Sequence, residues 1–182
     1  LFKPWTILTV MLLHGGLFHL LANMITFYFF GTPVEKIAGS KEVLKLYIGG
    51  GIAASLAYVG FRNLLYTLYG SEIAAKTIFG IQMGSMSTLG AAVGASGAVV
   101  AFGGAVAMLY PDAEVLLYFV IPMKIKTAVY AFGGMEAFNL VAKLLGYQLP
   151  VIGMFASSAH LAGLLIGLWY GKKLREKHRQ RS

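Results

Sequence analysis

Long apolar runs separated by short polar clusters divide this chain, and the run lengths carry the first prediction. A stretch of ~20 apolar residues crosses a bilayer as a helix. By that measure the pattern predicts spans over 17–34, 43–61, 86–110, 125–145 and 154–170. The first is closed by "PVEKIAGSKE", the third by Pro111 and the last by the basic run "GKKLREKHRQRS". Between the second and third, "RNLLYTLYGSEIAAKTIFGIQMGS" is too mixed to cross. "TILTVMLL" before His14 and "VLLYFVIP" ending at Pro122 are too short, and are expected in the interface or a partly buried loop.

Composition sharpens this. With 58% hydrophobic and 12% charged residues and a mean hydropathy of +0.72, a water-soluble domain of 182 residues could not hide its apolar surface. The chain therefore reads as an all-α membrane protein with a single domain over 1–182: an outer loop (1–16), a transmembrane core (17–170) and a basic tail (171–182). Without cysteine it can form neither disulfides nor thiolate metal sites.

The net charge of +8 does not indicate nucleic acid, because six of the fifteen Lys and Arg lie in the tail, where they serve as a membrane-side anchor. Counting Lys and Arg with that tail inside gives eleven on the inner side (Lys36, Lys41, Lys45, Lys124, Lys126 and the tail) and four outside (Lys3, Arg62, Lys76, Lys143). The expected protein is multi-pass in a prokaryotic cell membrane, its C-terminus cytoplasmic and lipid its surroundings. The start "LFKPWTILTVMLLH" lacks the features of a signal peptide, and a further span is expected upstream of Leu1.

Polar residues inside the apolar runs then gain weight, since ionisable groups in a bilayer are costly and point to function. His14, His19 and His160 all lie in or beside such runs. At ~1.5 Å per residue, His19 is ~24 Å above Glu35, Ser96 ~22 Å above Pro111 and His160 ~18 Å above Lys172. Against a core of ~30 Å, separate helices bring these groups to one layer in the outer half. Asn23 lies one turn below His19 on the same face. Gly163, Gly167 and Gly171 form a small-xxx-small row beside His160, and the third span offers Gly90, Gly94, Gly97, Gly103 and Gly104 for close helix approach.

A serine hydroxyl attacks only when a base takes its proton, and histidine is the usual base. The resulting oxyanion needs fixed donors. The first N–H groups of a helix lack partners and favour negative charge, so the Ser96 N–H can be one donor, with His19 and Asn23 adding side chains. Glycines beside Ser96 allow a substrate backbone to approach.

"GASGA" around Ser96, "AHLAGLLIG" with His160 and "HGGLFHLLANM", in this order and at matching depth, resemble the rhomboid family of intramembrane serine proteases. "PWTILTVMLLHG" and "FGTPVEKIAGS" resemble that family's first extramembrane loop and the exit from its second span, so the likeness runs from about Trp5 to the tail. It implies a rhomboid-like polytopic helical bundle whose first span lies outside this chain, and an active site open to the outer side. It also implies a Ser96–His160 dyad without an acidic member, His19 and Asn23 as oxyanion donors, His14 nearby holding water, and Gly94 as the glycine two places before the nucleophile. Substrates would be single-span membrane proteins cut at small residues, and no metal or cofactor is called for. Lateral entry of such a substrate makes the fourth span and "GYQLPVIGMFASS" the candidate gate, and water requires a hydrophilic cavity open to the outside.

Other classes fit less well. There is no H-E-x-x-H for a metalloprotease. A single aspartate, Asp112, excludes an aspartyl pair and reads, like Glu114, as a solvated boundary residue. No internal repeat suggests a transporter. The alternative is a catalytically inactive relative that binds membrane clients, against which stand both Ser96 and His160. Glu136 lies ~15 Å deep, and is read as paired, hydrogen-bonded or protonated within the bundle. Orienting His160 is its alternative role, one for which the resemblance has no counterpart.

Overall fold

A computed structural model describes residues 5–79, 95–117, 121–145 and 156–180. The elements in chain order are α1 (Thr6–Thr9), a 3-10 turn (Val10–Leu12), α2 (Leu17–Ala38), α3 (Ser40–Phe79), α4 (Ser96–Leu109), strands β1 (Glu114–Leu117) and β2 (Ile121–Lys124), α5 (Ile125–Leu144) and α6 (Ser157–Arg179). The described parts of the predicted spans are thus helical apart from end residues such as Tyr110 and Leu145.

Large apolar side chains point away from the bundle, among them Phe18 (88% exposed) and Leu12 (74%), with Tyr28, Phe138, Leu165 and Trp169 also exposed. So much exposed apolar surface fits lipid and not water. Leu17–Ala38 and Ser40–Leu68 are long and apolar enough to cross a membrane.

Helix α4 is the opposite case. Every residue from Gly97 to Ala107 except Val100 is buried, as expected of a helix apolar on all sides. Its 14 residues rise only ~21 Å, so Ser96 starts the helix inside the bundle and not at its surface.

Close packing of α4 on α6 sets the geometry. A Cβ placed on Gly163 or Gly167 would overlap the carbonyl oxygen of Gly97 or Ala101. One placed on Gly171 would lie 2.6 Å from the backbone of Ala105. The row expected on α6 is therefore in use, but its counterpart on α4 is Gly97, Ala101 and Ala105, spaced by four. Gly103 makes only an ordinary contact, 4.0 Å from Val129, while a Cβ on Gly104 would sit 2.7 Å from the Leu164 oxygen. Gly90 and Gly94 lie outside the described residues.

Below this contact a core of Val34, Leu46, Phe102, Val106, Leu164 and Leu174 joins α2, α3, α4 and α6. At that end, Tyr170 on α6 donates its hydroxyl to Glu42 Oε2 on α3, whose Oε1 lies 2.8 Å from Lys45 Nζ. Between α2 and α3 the chain reverses at Gly39 (φ 85°), a conformation few other residues adopt, and Ser40 Oγ donates to Glu35 Oε1 at 2.6 Å.

Three expectations are corrected. Helix α3 does not stop at Phe61 but continues to Phe79; forty residues rise ~60 Å, about twice the ~30 Å hydrocarbon core, so the mixed stretch extends the helix beyond it. The run around "VLLYFVIP" supplies an antiparallel hairpin, so the mostly helical chain is not all-α. Its β-branched and apolar residues favour strands, and pairing satisfies backbone groups that a short loop would leave open. Finally, α6 continues past Tyr170 through the basic tail to Arg179.

Candidate active site

Ser96 is the first residue of α4, following Ala95 (φ −68°, ψ −5°). Its N–H therefore belongs to the opening turn, where no intrahelical acceptor exists. Gly94 and the rest of 80–94 lie outside the described residues, as do residues 146–155 of the loop expected, with the fourth span, to form the gate.

His160 occupies the first turn of α6, its backbone N–H bonded to Ala156 O at 3.0 Å. A serine side chain is short, so its hydroxyl reaches another helix only where backbones nearly touch. Gly163 against Gly97 provides that approach. The Ser96 Oγ lies 3.0 Å from His160 Nε2, within hydrogen-bonding range. The predicted pair is thus brought together from two helices 64 residues apart in the chain.

On the other side of the imidazole, Nδ1 lies 2.6 Å from Glu136 Oε1. Glu136 is fully buried on α5. Phe132, one turn earlier, has its ring centroid 5.9 Å from that of His160. Glu136 is therefore hydrogen-bonded within the bundle, as read from the sequence, and its partner is His160. Asn139 on α5 and Ser157 on α6 were not singled out by the sequence reading. Both are buried, and their side-chain polar atoms have no hydrogen-bond partner among the described residues. The signal that could have found Asn139 is its i+3 spacing from Glu136.

His19 is half-buried near the start of α2. The Gly15 N–H donates to its Nδ1 at 3.2 Å, so in the neutral ring the proton sits on Nε2, which is left as a donor. His14 packs edge-on against it, ring centroids 5.6 Å apart, with its own Nε2 buried and unpartnered among the described residues. One turn below His19, Asn23 is buried and its Nδ2 likewise lacks a partner. An unsatisfied buried donor is uncommon and calls for an explanation, one being a bond made only during reaction.

Beside Ser96 is a void of about 20 Å³, lined by Val10, Met11, Ser55, Ala156 and Ala159 among others. That is room for one water. It is much smaller than the hydrophilic cavity expected, and the segments 80–94 and 146–155 lie outside the description. Its roof is pinned by hydrogen bonds from Ser55 Oγ to Ile7 O and from Tyr47 Oη to Met11 O, each 3.1 Å. Thus α1 and the 3-10 turn dock on α3, with Met11 filling the space that a side chain at Gly51 would need.

At the hairpin, Asp112 is 66% exposed and bridges Lys126 (2.9 Å) and Lys124 (3.3 Å). Hydrogen bonds from Lys126, then Lys124, hold its carboxyl below the usual carboxylate range. Its exposed setting agrees with the solvated residue read from the sequence.

A family profile described as "Rhomboid domain" matches residues 2–177. The chain is 32% identical over 171 residues to "Rhomboid protein 1, mitochondrial" of Saccharomyces cerevisiae, covering 92% of this chain and 42% of that protein. It is 28% identical over 171 residues to "Presenilin-associated rhomboid-like protein, mitochondrial" of Homo sapiens, covering 92% of this chain and 38% of that one. Against "RHOMBOID-like protein 12, mitochondrial" of Arabidopsis thaliana it is 33% identical over 118 residues, covering 65% of this chain and 33% of the relative. The chain thus spans about two-fifths or less of the length of these curated relatives. No solved structure matches. The profile carries with it a polytopic helical membrane fold.

Proposed function

Since the chain belongs to the rhomboid family, we propose that it is an intramembrane serine endopeptidase in which Ser96 is the nucleophile and His160 the general base. The single observation carrying this reading is the 3.0 Å separation of Ser96 Oγ and His160 Nε2 inside an apolar bundle. A base within hydrogen-bond reach of the hydroxyl is the geometric requirement for the first step.

In that step the Ser96 proton passes to His160 Nε2 as Oγ bonds to the scissile carbonyl carbon, and the carbonyl electron pair moves onto oxygen. The oxyanion is met by the Ser96 N–H, the His19 Nε2–H and the Asn23 amide, the donors this reading assigns to the developing charge. Collapse of the oxyanion breaks the C–N bond, and the proton on Nε2 goes to the leaving nitrogen. Water then attacks the ester, its proton goes to Nε2, and breakage of the C–Oγ bond returns that proton to Ser96. The void beside Ser96 has the volume such a water needs. His14, beside His19, helps hold water at the site, and Gly94 leaves room for the substrate strand. No metal or cofactor enters these steps.

Substrates on this reading are single-span membrane proteins whose spans contain small residues, entering sideways between lipid-facing helices. The fourth span and the loop 146–158 are the proposed gate. The site faces the side opposite the basic tail. The relatives named above are mitochondrial proteins, and the prokaryotic membrane expected from the sequence gains no support from them.

The test is cleavage of a single-span reporter in proteoliposomes by the native chain, Ser96→Ala and His160→Ala. Loss in both variants, with melting temperatures unchanged, supports the proposal. Continued cleavage by Ser96→Ala overturns it.

A further inference from the structure

We propose that Glu136 is a positioning residue of the site, holding His160 in one tautomer and countering the positive charge the ring acquires; this rests on the serine-protease reading above. Three observations converge on it. Glu136 is fully buried. Its Oε1 stands 2.6 Å from His160 Nδ1, the short separation typical of a charge-assisted bond. On the far side of the same ring, Nε2 faces the Ser96 hydroxyl at 3.0 Å.

The two contacts are linked through the chemistry of imidazole. A neutral ring carries one N–H and one lone pair. An ionised carboxylate only accepts hydrogen bonds, so it draws the N–H to Nδ1 and leaves the lone pair on Nε2, where Ser96 must be deprotonated. The opposite tautomer would present an N–H to the serine and could not take its proton. When Nε2 accepts that proton, the ring becomes a cation in a low-dielectric interior, where a fixed anion at 2.6 Å stabilises it far more than water-exposed groups could. Glu136 receives no proton at any stage; the proton shuttles between Ser96, His160, the leaving nitrogen and water.

A purely structural role accounts less well for this placement. A buried ion in a membrane bundle is expensive, and a hydrogen-bonding scaffold could be built from neutral side chains. The same helix carries Lys143, buried two turns further on, as a group of opposite charge. The other histidines expected at the site are His19 and His14, whose ring centroids are 5.6 Å apart.

The test compares the native chain with Glu136→Gln, Glu136→Asp and Glu136→Ala in reporter cleavage across pH, with melting curves for each. Glu136→Gln keeps the volume and an acceptor but loses the anion. The expected result is a fall in kcat of about 10²–10⁴-fold with KM nearly constant, by analogy with the loss of the acidic member in soluble triads. The acid limb of the pH profile should move to lower pH, because the imidazolium loses its counter-ion, and Glu136→Asp should restore part of kcat. A folded Glu136→Gln with native kcat and an unmoved acid limb overturns the proposal. If the variants do not fold, ¹⁵N spectra of histidine-labelled native protein decide. A proton on Nδ1 of neutral His160 supports the role, and a proton on Nε2 overturns it. Ser96→Ala and His160→Ala run in the same assay separate the two levels. If they retain cleavage, the protease reading fails; if they lose it while Glu136→Gln does not, only the role of Glu136 fails.

Discussion

Gly163 on α6, three residues after His160, lies directly against the backbone carbonyl of Gly97 on α4, one residue after Ser96. This contact is what lets a short serine side chain reach across to an imidazole. A methyl group at 163 has no space, so Gly163→Ala should push the helices apart, destabilising the bundle by ~1–3 kcal/mol and lowering activity more than the loss of folded protein explains. Gly134, where an added Cβ meets nothing within 4 Å, is the control, and its alanine variant should melt and cleave like the native chain. Thermal denaturation in detergent beside reporter cleavage checks both; equal behaviour of the two variants would count against the packing argument.

The oxyanion assignment predicts a different signature. Asn23→Ala removes a buried donor with no resting partner among the described residues, so folding should be little affected. Turnover should fall about 10²–10³-fold, the usual loss for one oxyanion donor, while KM stays close to native. A rise in KM at constant kcat would assign Asn23 to substrate binding instead.

How far these features could be read in advance depended on the kind of information each required. Depth follows from counting residues along a helix, so Ser96, His19 and His160 could be assigned to one layer before any fold was known. Azimuth cannot be counted in this way. Residue counting places Glu136 deep in the bundle, paired, hydrogen-bonded or protonated, but which helix its carboxyl faces depends on how α5 is rotated against α6. The packing row shows the same limit. Gly163, Gly167 and Gly171 stood out by their spacing, whereas their counterparts Ala101 and Ala105 did not, because alanine is common in any membrane helix. The extension of α3 to Phe79 was missed because polar residues argue against a span, and a helix leaving the bilayer tolerates them. The hairpin was missed because its strands are four residues each, too short for a period to emerge.

Toward the basic end of α6, the Tyr170–Glu42 hydrogen bond ties α6 to α3 away from the Ser96–His160 pair. Tyr170→Phe deletes only the hydroxyl. It should lower stability by ~1–2 kcal/mol and leave kcat per folded molecule unchanged. Chemical denaturation combined with active-site titration separates the two quantities, and a kcat loss at full occupancy would show coupling between this end and the dyad.

Asp112 gives a pH prediction with a definite sign. Its carboxyl titrates below the ordinary range because Lys126 and Lys124 bond to its charged form. The stabilisation is therefore complete above the unfolded pKa of about 4 and is lost as pH falls through the lower folded value. Asp112→Asn should be slightly less stable than native near neutrality, the difference being small for so exposed a group, and the two should converge in acid. Melting curves from neutral pH downward test this; a gap that widens in acid would contradict the assignment.

The most direct test of the central claim is fluorophosphonate labelling of the folded chain in detergent, with the modified residue located by mass spectrometry. The account predicts one adduct on Ser96, absent in Ser96→Ala and strongly slowed in His160→Ala. An adduct elsewhere, or a folded native chain that takes no label, would contradict a serine nucleophile activated by His160.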